Sequence, residues 1–328
     1  MSGPTDRRPL VMVLGDDIDD LDHSVLFPAL RARGVEVTRV HPRDLVTYMD
    51  GPDTTFAVGG QTIRPDLVVG WVLDDLLLQG MAQLDVLARA GIVIINDAIT
   101  LFRAQNNYIN SSLLSDGGVL RYPVISGEDP QALRDWASEH GYPVVVKPVR
   151  GFGGRGLRRL LNDRELEDLL GDLRQDDEQY YVVPWVENPG RDIRVYTVAH
   201  HPVFAMYRYA PPGSWVTNIL AGGEKAMCPL NDRLADLAER ASRAAGTLLG
   251  GVDLAENLET GDLVVYEVNS CPSSEPAALE AVADFLVSVV EQGLDAAVAS
   301  WRPARVHDHF NPDRSLFHRT PRERLHRS

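Results

Sequence analysis

Gly251-Val252-Asp253-Leu254, a turn at Glu259-Thr260-Gly261-Asp262, and Leu263-Val264-Val265-Tyr266-Glu267-Val268-Asn269 read together as a β-hairpin. Side chains alternate along a strand, so Glu267 and Asn269 share one face, and Asp253 stands on the partner strand. Three oxygen-bearing side chains therefore converge. Hard oxygen donors of this kind suit Mg2+ bridging nucleotide phosphates. The competing account, a carboxylate and an amide placed in a Val-rich strand for packing alone, is costly unless each finds a partner.

Working outward, Val144-Val145-Val146-Lys147-Pro148 reads as a buried strand ending in a lysine, followed by the glycine-rich stretch Gly151 to Gly156 and a second strand over Leu157 to Leu161. Backbone N–H groups of such a hairpin approach phosphate oxygens closely, and Lys147, Arg150 and Arg155 add positive charge. A merely flexible hairpin is the alternative. Tyr180 to Val183 is a strand running through Pro184, Trp185, Val186 and Glu187 into a linker, and Gly190-Arg191-Asp192-Ile193-Arg194-Val195 opens the next strand. Its apolar edge suits a flat base. Alternation sets Arg194 between apolar neighbours, away from the core side; for Arg194 and Arg208 the competing role is surface ion pairing.

Around this centre the chain reads as alternating helices and strands. Leu10 to Leu14, a helix over Val25 to Arg33 and Val35-Glu36-Val37 form a βαβ opening, with Leu67 to Val69, a helix over Met81 to Ala90 and Ile92 to Ile95 after it. Residues 1–96 thus form one α/β unit. Gly15-Asp16-Asp17 lacks the spacing of a dinucleotide loop. Ala98 to Leu114 is predicted as one helix ending at Gly117-Gly118; amphipathic helices follow over Gln131 to His140, Arg233 to Leu249 and Ala277 to Val298. His200-His201 is expected at a strand turn facing solvent, and Tyr207 and Tyr209 either pack or line an acceptor site.

Composition narrows the function. With 32 basic against 47 acidic side chains the formal charge is −15, which repels a phosphate backbone and disfavours nucleic-acid binding. No apolar run approaches the roughly 18 residues of a membrane span. The absence of a signal-type N-terminus predicts a cytoplasmic protein, and Cys228 and Cys271 are too far apart to form a thiol-based motif. The tail 301–328 differs, with seven arginines against Asp308, Asp313 and Glu323, a net of +4, and four of the nine histidines. It either docks on the acidic body, reaches another subunit, or is disordered.

Taken in order, these segments resemble the ATP-grasp superfamily, and within it the RimK-like carboxylate–amine ligases, with a weaker likeness to bacterial glutathione synthetases. The resemblance covers about residues 97 to 290. It implies an α/β (α+β) ATP-grasp fold behind a Rossmann-like pre-ATP-grasp unit at 1–96, with a nucleotide-binding part at 97–187, a catalytic part at 188–300 and the basic tail at 301–328. Lys147 matches the lysine that holds nucleotide phosphates; Gly151, Gly153 and Gly154 belong to the phosphate-covering loop. Trp185 and Val186 match the hinge that meets adenine, Glu187 a ribose or adenine contact, and Asp192 a nucleotide-contact position. Arg194, Arg208 and Asn218 match positions facing the phosphates and the carboxylate substrate. Asp253, Glu267 and Asn269 match the ligands of magnesium, two ions that Mn2+ can replace.

Departures from the family pattern fall on both the nucleotide side and the substrate side. Pro184 stands where a hinge glutamate is usual, Asn107 where a second lysine is usual, with Arg103 as a candidate substitute, and Val216 and Ala221 where arginines are common. Cys271, two residues after Asn269, is expected near the substrate. The implied activity is Mg-ATP-dependent amide formation between a small-molecule carboxylate and an amine, amino acids or small peptides, through an acyl phosphate. A kinase on the same fold and a non-catalytic ATP-binding module are the alternatives. Related ligases are commonly dimers or tetramers, so a homo-oligomer fits the resemblance.

Overall fold

The computed structural model describes residues 7–15, 22–151, 155–176, 178–219, 222–273 and 275–303. Four sheets carry the described chain. The N-terminal sheet is parallel, in the order β2 (Glu36–Val40), β1 (Leu10–Gly15), β6 (Leu67–Trp71), β7 (Val93–Ile95). Its near-continuous Val, Leu and Ile runs follow from burial on both faces: α1 (Phe27–Ala32) lies on one, and α2 (Leu77–Arg89) and α3 (Ala98–Ala104) on the other. A three-stranded antiparallel sheet, β3 (Leu45–Asp50), β4 (Asp53–Val58) and β5 (Gln61–Ile63), was not anticipated. Its Thr- and Asp-rich strands leave Val46, Tyr48 and Met49 exposed and show no clean alternation.

The predicted single helix over Ala98 to Leu114 is two helices. α3 ends at Gln105, and Asn106, extended, accepts from the Ile109 amide to start α4 (Asn107–Asp116). An asparagine that caps the next turn competes with helix continuation. β8 (Ile125–Gly127), α5 (Pro130–His140), β9 (Val144–Val146), β10 (Arg158–Leu160), α6 (Asp163–Asp176) and β11 (Tyr180–Pro184) follow, the strands ordered β10-β9-β11-β8 and backed by α5 and α6 through Leu133, Leu166 and Leu170.

The largest sheet has the order β14 (Glu224–Met227), β13 (His201–Tyr209), β12 (Arg191–Val198), β15 (Leu249–Glu256), β16 (Leu263–Asn269), all antiparallel. Alternation divides it cleanly. Ile193, Val195, Ala205, Val252 and Val268 pack against α7 (Asp232–Ala245) and α4 on one face. On the other face Tyr196, Phe204 and Met206 join α8 (Pro276–Gln292), α9 (Leu294–Ser300) and the N-terminal sheet in one core, while the remaining positions carry charge. Trp301 closes this core against Phe285, centroids 5.5 Å apart; the rest of the basic tail, 304–328, lies outside the described residues. Among the described residues no helix is long and apolar enough to cross a membrane.

Candidate active site

The charged face of the large sheet forms the floor of a cleft enclosing roughly 910 Å3 of space open to solvent, roofed by the β9–β10 sheet. Strand register sets the order of the charges. Arg208 pairs across β12–β13 with Asp192, Arg194 pairs across β12–β15 with Asp253, and Asp253 pairs across β15–β16 with Glu267. Asp192 receives Arg208 Nε at 2.8 Å and Nη2 at 2.6 Å, and Arg208 Nη2 also lies 3.0 Å from Asp253. Arg194 forms a two-pronged contact with the same Asp253, its Nη2 donating at 2.8 Å. Burial alone would raise the Asp253 carboxyl, but Arg194 and Arg208 outweigh it and hold it down at about 2. Burial likewise opposes the Arg208 charge, and Asp192 and Asp253 keep that guanidinium well above its ordinary value. Gly251 makes room for this pairing: a Cβ there would lie 3.0 Å from Arg194 Cδ and 2.8 Å from Pro272 Cβ.

The three oxygen donors read from the sequence come together. Asn269 Nδ2 lies 3.3 Å from Asp253 Oδ2 and 3.4 Å from Glu267 Oε1, so one amide touches both carboxylates. Two carboxylates and an amide form a hard, oxygen-rich set that fits a divalent cation bridging phosphates; among the described residues no group of three or more His, Cys, Asp or Glu forms a cation cage. A β-bulge helps: Asp253 pairs with Glu267 and Leu254 with Val265, leaving Tyr266 as the extra residue, turned into the cleft wall.

Lys147 enters from the roof, its Nζ 3.6 Å from Glu267 Oε2 and 5.5 Å from the Tyr266 ring centroid. Gly151, which also lines the cleft, has φ of 156°, near-extended; Gly153 and Gly154 lie outside the described residues. At the far end Val145, Val183 and Val186 give an apolar wall beside Trp185, which meets Trp215 edge-on at 5.5 Å, with the Arg159 guanidinium 4.7 Å over Trp185. Trp215, Thr217 and Asn218 lie on a segment along the cleft, tied down where Thr217 Oγ1 donates to Asp192 at 2.6 Å.

Several expectations change. Arg194 and Arg208 are buried, 6% and 4% exposed, which removes surface ion pairing as their role. Glu187 is exposed and accepts from the Trp185 indole at 2.8 Å, and the neighbouring Asn188 lines the cleft. Asp192, which borders the cleft, spends its carboxylate on Arg208 and Thr217. Arg103 is exposed and does not reach the cleft, whereas Asn107 lines it and donates to the Pro148 carbonyl at 2.8 Å. Cys271 packs toward the N-terminal unit, with Sγ 3.8 Å from the Gly70 carbonyl. His200 and His201 are half-buried, and His200 Nδ1 meets Ser242 Oγ at 3.1 Å. Tyr207 and Tyr209 stack with Arg191, Tyr207 at 3.8 Å, on the side of the sheet away from Arg208. Tyr266 and Thr217 escaped the sequence reading, since their place depends on a bulge and on a partner tens of residues away.

Residues 124–289 match the model of the RimK-like ATP-grasp domain, just over half of the chain. Tetrahydromethanopterin:α-L-glutamate ligase of Methanosarcina acetivorans is 31% identical over 58% of this chain and 66% of its own length. The α-aminoadipate–LysW ligase LysX of Sulfurisphaera tokodaii is 30% identical over 54% and 63%. The match thus spans slightly less than two thirds of these relatives. A solved structure of the ATP-grasp ligase PsnB, complexed with minimal precursor, Mg and ADP, superposes with a TM-score of 0.64 at 21% identity, covering 86% of this chain and 98% of that one. The chain belongs to the RimK-like ATP-grasp family.

Proposed function

We propose that the protein is an ATP-dependent ligase that joins a carboxylate to an amine, with amino acids or small peptides as substrates. The observation that carries this reading is the charged row Arg208, Asp192, Arg194, Asp253, Glu267 and Asn269 beneath Lys147, next to an apolar, tryptophan-walled recess. The recess suits a base, and Lys147 suits the phosphates. Asp253, Glu267 and Asn269 would hold Mg2+, two ions in our reading and Mn2+ in substitution, and the cation when bound neutralises phosphate charge.

In the first step a carboxylate oxygen of the substrate attacks the γ-phosphorus of ATP, the bond to the β-bridging oxygen breaks, and ADP leaves. In the second step the amine nitrogen attacks the acyl carbon, phosphate departs with the carboxylate oxygen, and the nitrogen loses a proton. Lys147 and Arg208 supply fixed positive charge for the transferring group, already oriented by Glu267 and by Asp192 with Asp253. Preorganisation is the protein's main contribution, since no side-chain nucleophile is required. Asn218 and Thr217, on the segment along the cleft, border the space left for the carboxylate.

The test is phosphate release from Mg-ATP by the purified protein across amino acids and dipeptides, singly and in pairs, with mass spectrometry of each reaction. Phosphate that appears only when a carboxylate and an amine are both present, with a product lighter than their sum by one water, supports the ligase. A phosphorylated product without free phosphate replaces it with a kinase.

A further inference from the structure

Two asparagines outside the cleft hold the strand that carries the cation-binding residues. Among the described residues β16 is the edge strand of the large sheet: β15 pairs with one side of it, and no described strand pairs with the other. An open edge leaves N–H and C=O groups unpaired, which is costly when the edge is buried. Here a side chain from α4 stands in for the missing strand. Asn110 Oδ1 accepts from the Val268 amide at 3.2 Å, and its Nδ2 donates to the Val268 carbonyl at 2.8 Å. One carboxamide thus satisfies both backbone groups of the residue between Glu267 and Asn269. Immediately after Asn269, the Ser270 carbonyl accepts from Asn96 Nδ2 at 3.0 Å, while Asn96 also bonds Leu248 and Leu249. Asn96 and Asn110 are each 2% exposed, and neither lines the cleft.

Helix α4 reaches the roof as well. Asn107, one turn before Asn110 on the same helix face, bonds the Val149 carbonyl through its backbone amide and the Pro148 carbonyl through its side chain, both at 2.8 Å. The first turns of α4 therefore span from the segment just after Lys147 to the backbone between Glu267 and Asn269.

We propose that Asn110 is a positioning residue that sets the affinity of the cleft for a divalent cation by fixing the β16 backbone between Glu267 and Asn269. This rests on the assignment of Asp253, Glu267 and Asn269 as cation ligands. Cation coordination tolerates little drift in ligand positions, and groups that orient ligands are typically worth about 10–100-fold in affinity. Asn110→Asp keeps the acceptor for the Val268 amide but turns an oxygen toward the Val268 carbonyl, so the edge frays where the donors sit.

The experiment measures Mn2+ binding by electron paramagnetic resonance, in the presence of a non-hydrolysable ATP analogue, for the wild-type full chain, Asn110→Asp, Glu267→Gln and Ser242→Ala. Ser242 is a buried hydroxyl bonded to the Thr247 carbonyl behind the sheet, so its variant loses stability without touching β16. The expected result is Mn2+ affinity lowered about tenfold or more in Asn110→Asp, with nucleotide affinity in EDTA unchanged and Ser242→Ala binding as the wild type does. Wild-type Mn2+ affinity in Asn110→Asp, with binding lost in Glu267→Gln, would overturn the role of Asn110 and leave the cation site standing. Absence of Mn2+ binding in the wild type would overturn the cation site and this inference with it. Should Asn110→Asp fail to fold, Asn110→Ser, whose hydroxyl replaces one of the two bonds, is read by the same criteria.

Discussion

Arg194 and Asp253 face each other across the β12–β15 pair at the floor of the cleft, joined by two hydrogen bonds and both almost fully buried. A carboxylate read from the sequence as a cation ligand is thus also one partner of a buried ion pair. Its removal carries two penalties. Taking away one member of such a pair costs about 3–5 kcal/mol, because the other charge is left buried and uncompensated.

Asp253→Asn should therefore lose both ATP turnover and thermal stability. Glu267→Gln, at a side chain 31% exposed beside Lys147, should lose turnover on the order of 100-fold or more while its Tm stays close to the wild type. Phosphate release and thermal unfolding of the two variants, measured side by side, check this; unchanged turnover in Glu267→Gln would remove the cation assignment.

Thr217 links the segment along the cleft to the buried charges through its 2.6 Å bond to Asp192. A hydrogen bond to a charged group is worth about 1.5–3 kcal/mol, so Thr217→Val should lower kcat/KM for the carboxylate by roughly 10- to 100-fold. Nucleotide affinity measured without the carboxylate should hold, and Thr217→Ser should restore most of the loss. Unchanged kcat/KM in Thr217→Val would show that the bond to Asp192 plays no part in turnover.

His200 takes a positive φ of 70° at the β12–β13 turn. Burial above all, then Arg243 and His201, lower its pKa to about 4, against about 6.5 in an unfolded chain. Between those values the unfolded chain binds a proton that the folded chain does not. The stability contributed by neutral His200 is therefore fully present above about pH 6.5 and falls as the pH drops toward the folded value of about 4. Discounted for partial exposure, the loss is on the order of 1 kcal/mol. His200→Asn, which tolerates the left-handed backbone, should flatten the Tm profile across this window; an equally steep profile would assign the pH dependence to other groups.

Much of this site was legible because the strand alternation is strict where it matters. Val252, Leu254 and Val268 face α7 and α4, so Asp253, Glu267 and Asn269 had only the opposite face left. What the sequence concealed was held by distant partners. Arg194 looks like a surface arginine until Asp253, 59 residues on, is placed opposite it. The break between α3 and α4 is invisible in residues that all tolerate a helix; only the capping bond of Asn106 and its bridge to Arg150 end α3 there. Helix α6 is hard to read from the sequence because its many charged residues mask the stripe of Leu166, Leu169 and Leu170. The local contact between Glu187 and the indole of Trp185, two residues earlier, is likewise not visible in strand alternation.

The most direct test of the central claim follows an oxygen atom. A carboxylate substrate labelled with oxygen-18 in both carboxyl oxygens is incubated with the protein, Mg-ATP and the amine, and the released phosphate is analysed by mass spectrometry. An acyl phosphate on the path predicts that one labelled oxygen per turnover appears in the phosphate, with the other retained in the amide. Amide formation with unlabelled phosphate, or phosphate released without amide and without label, would contradict it.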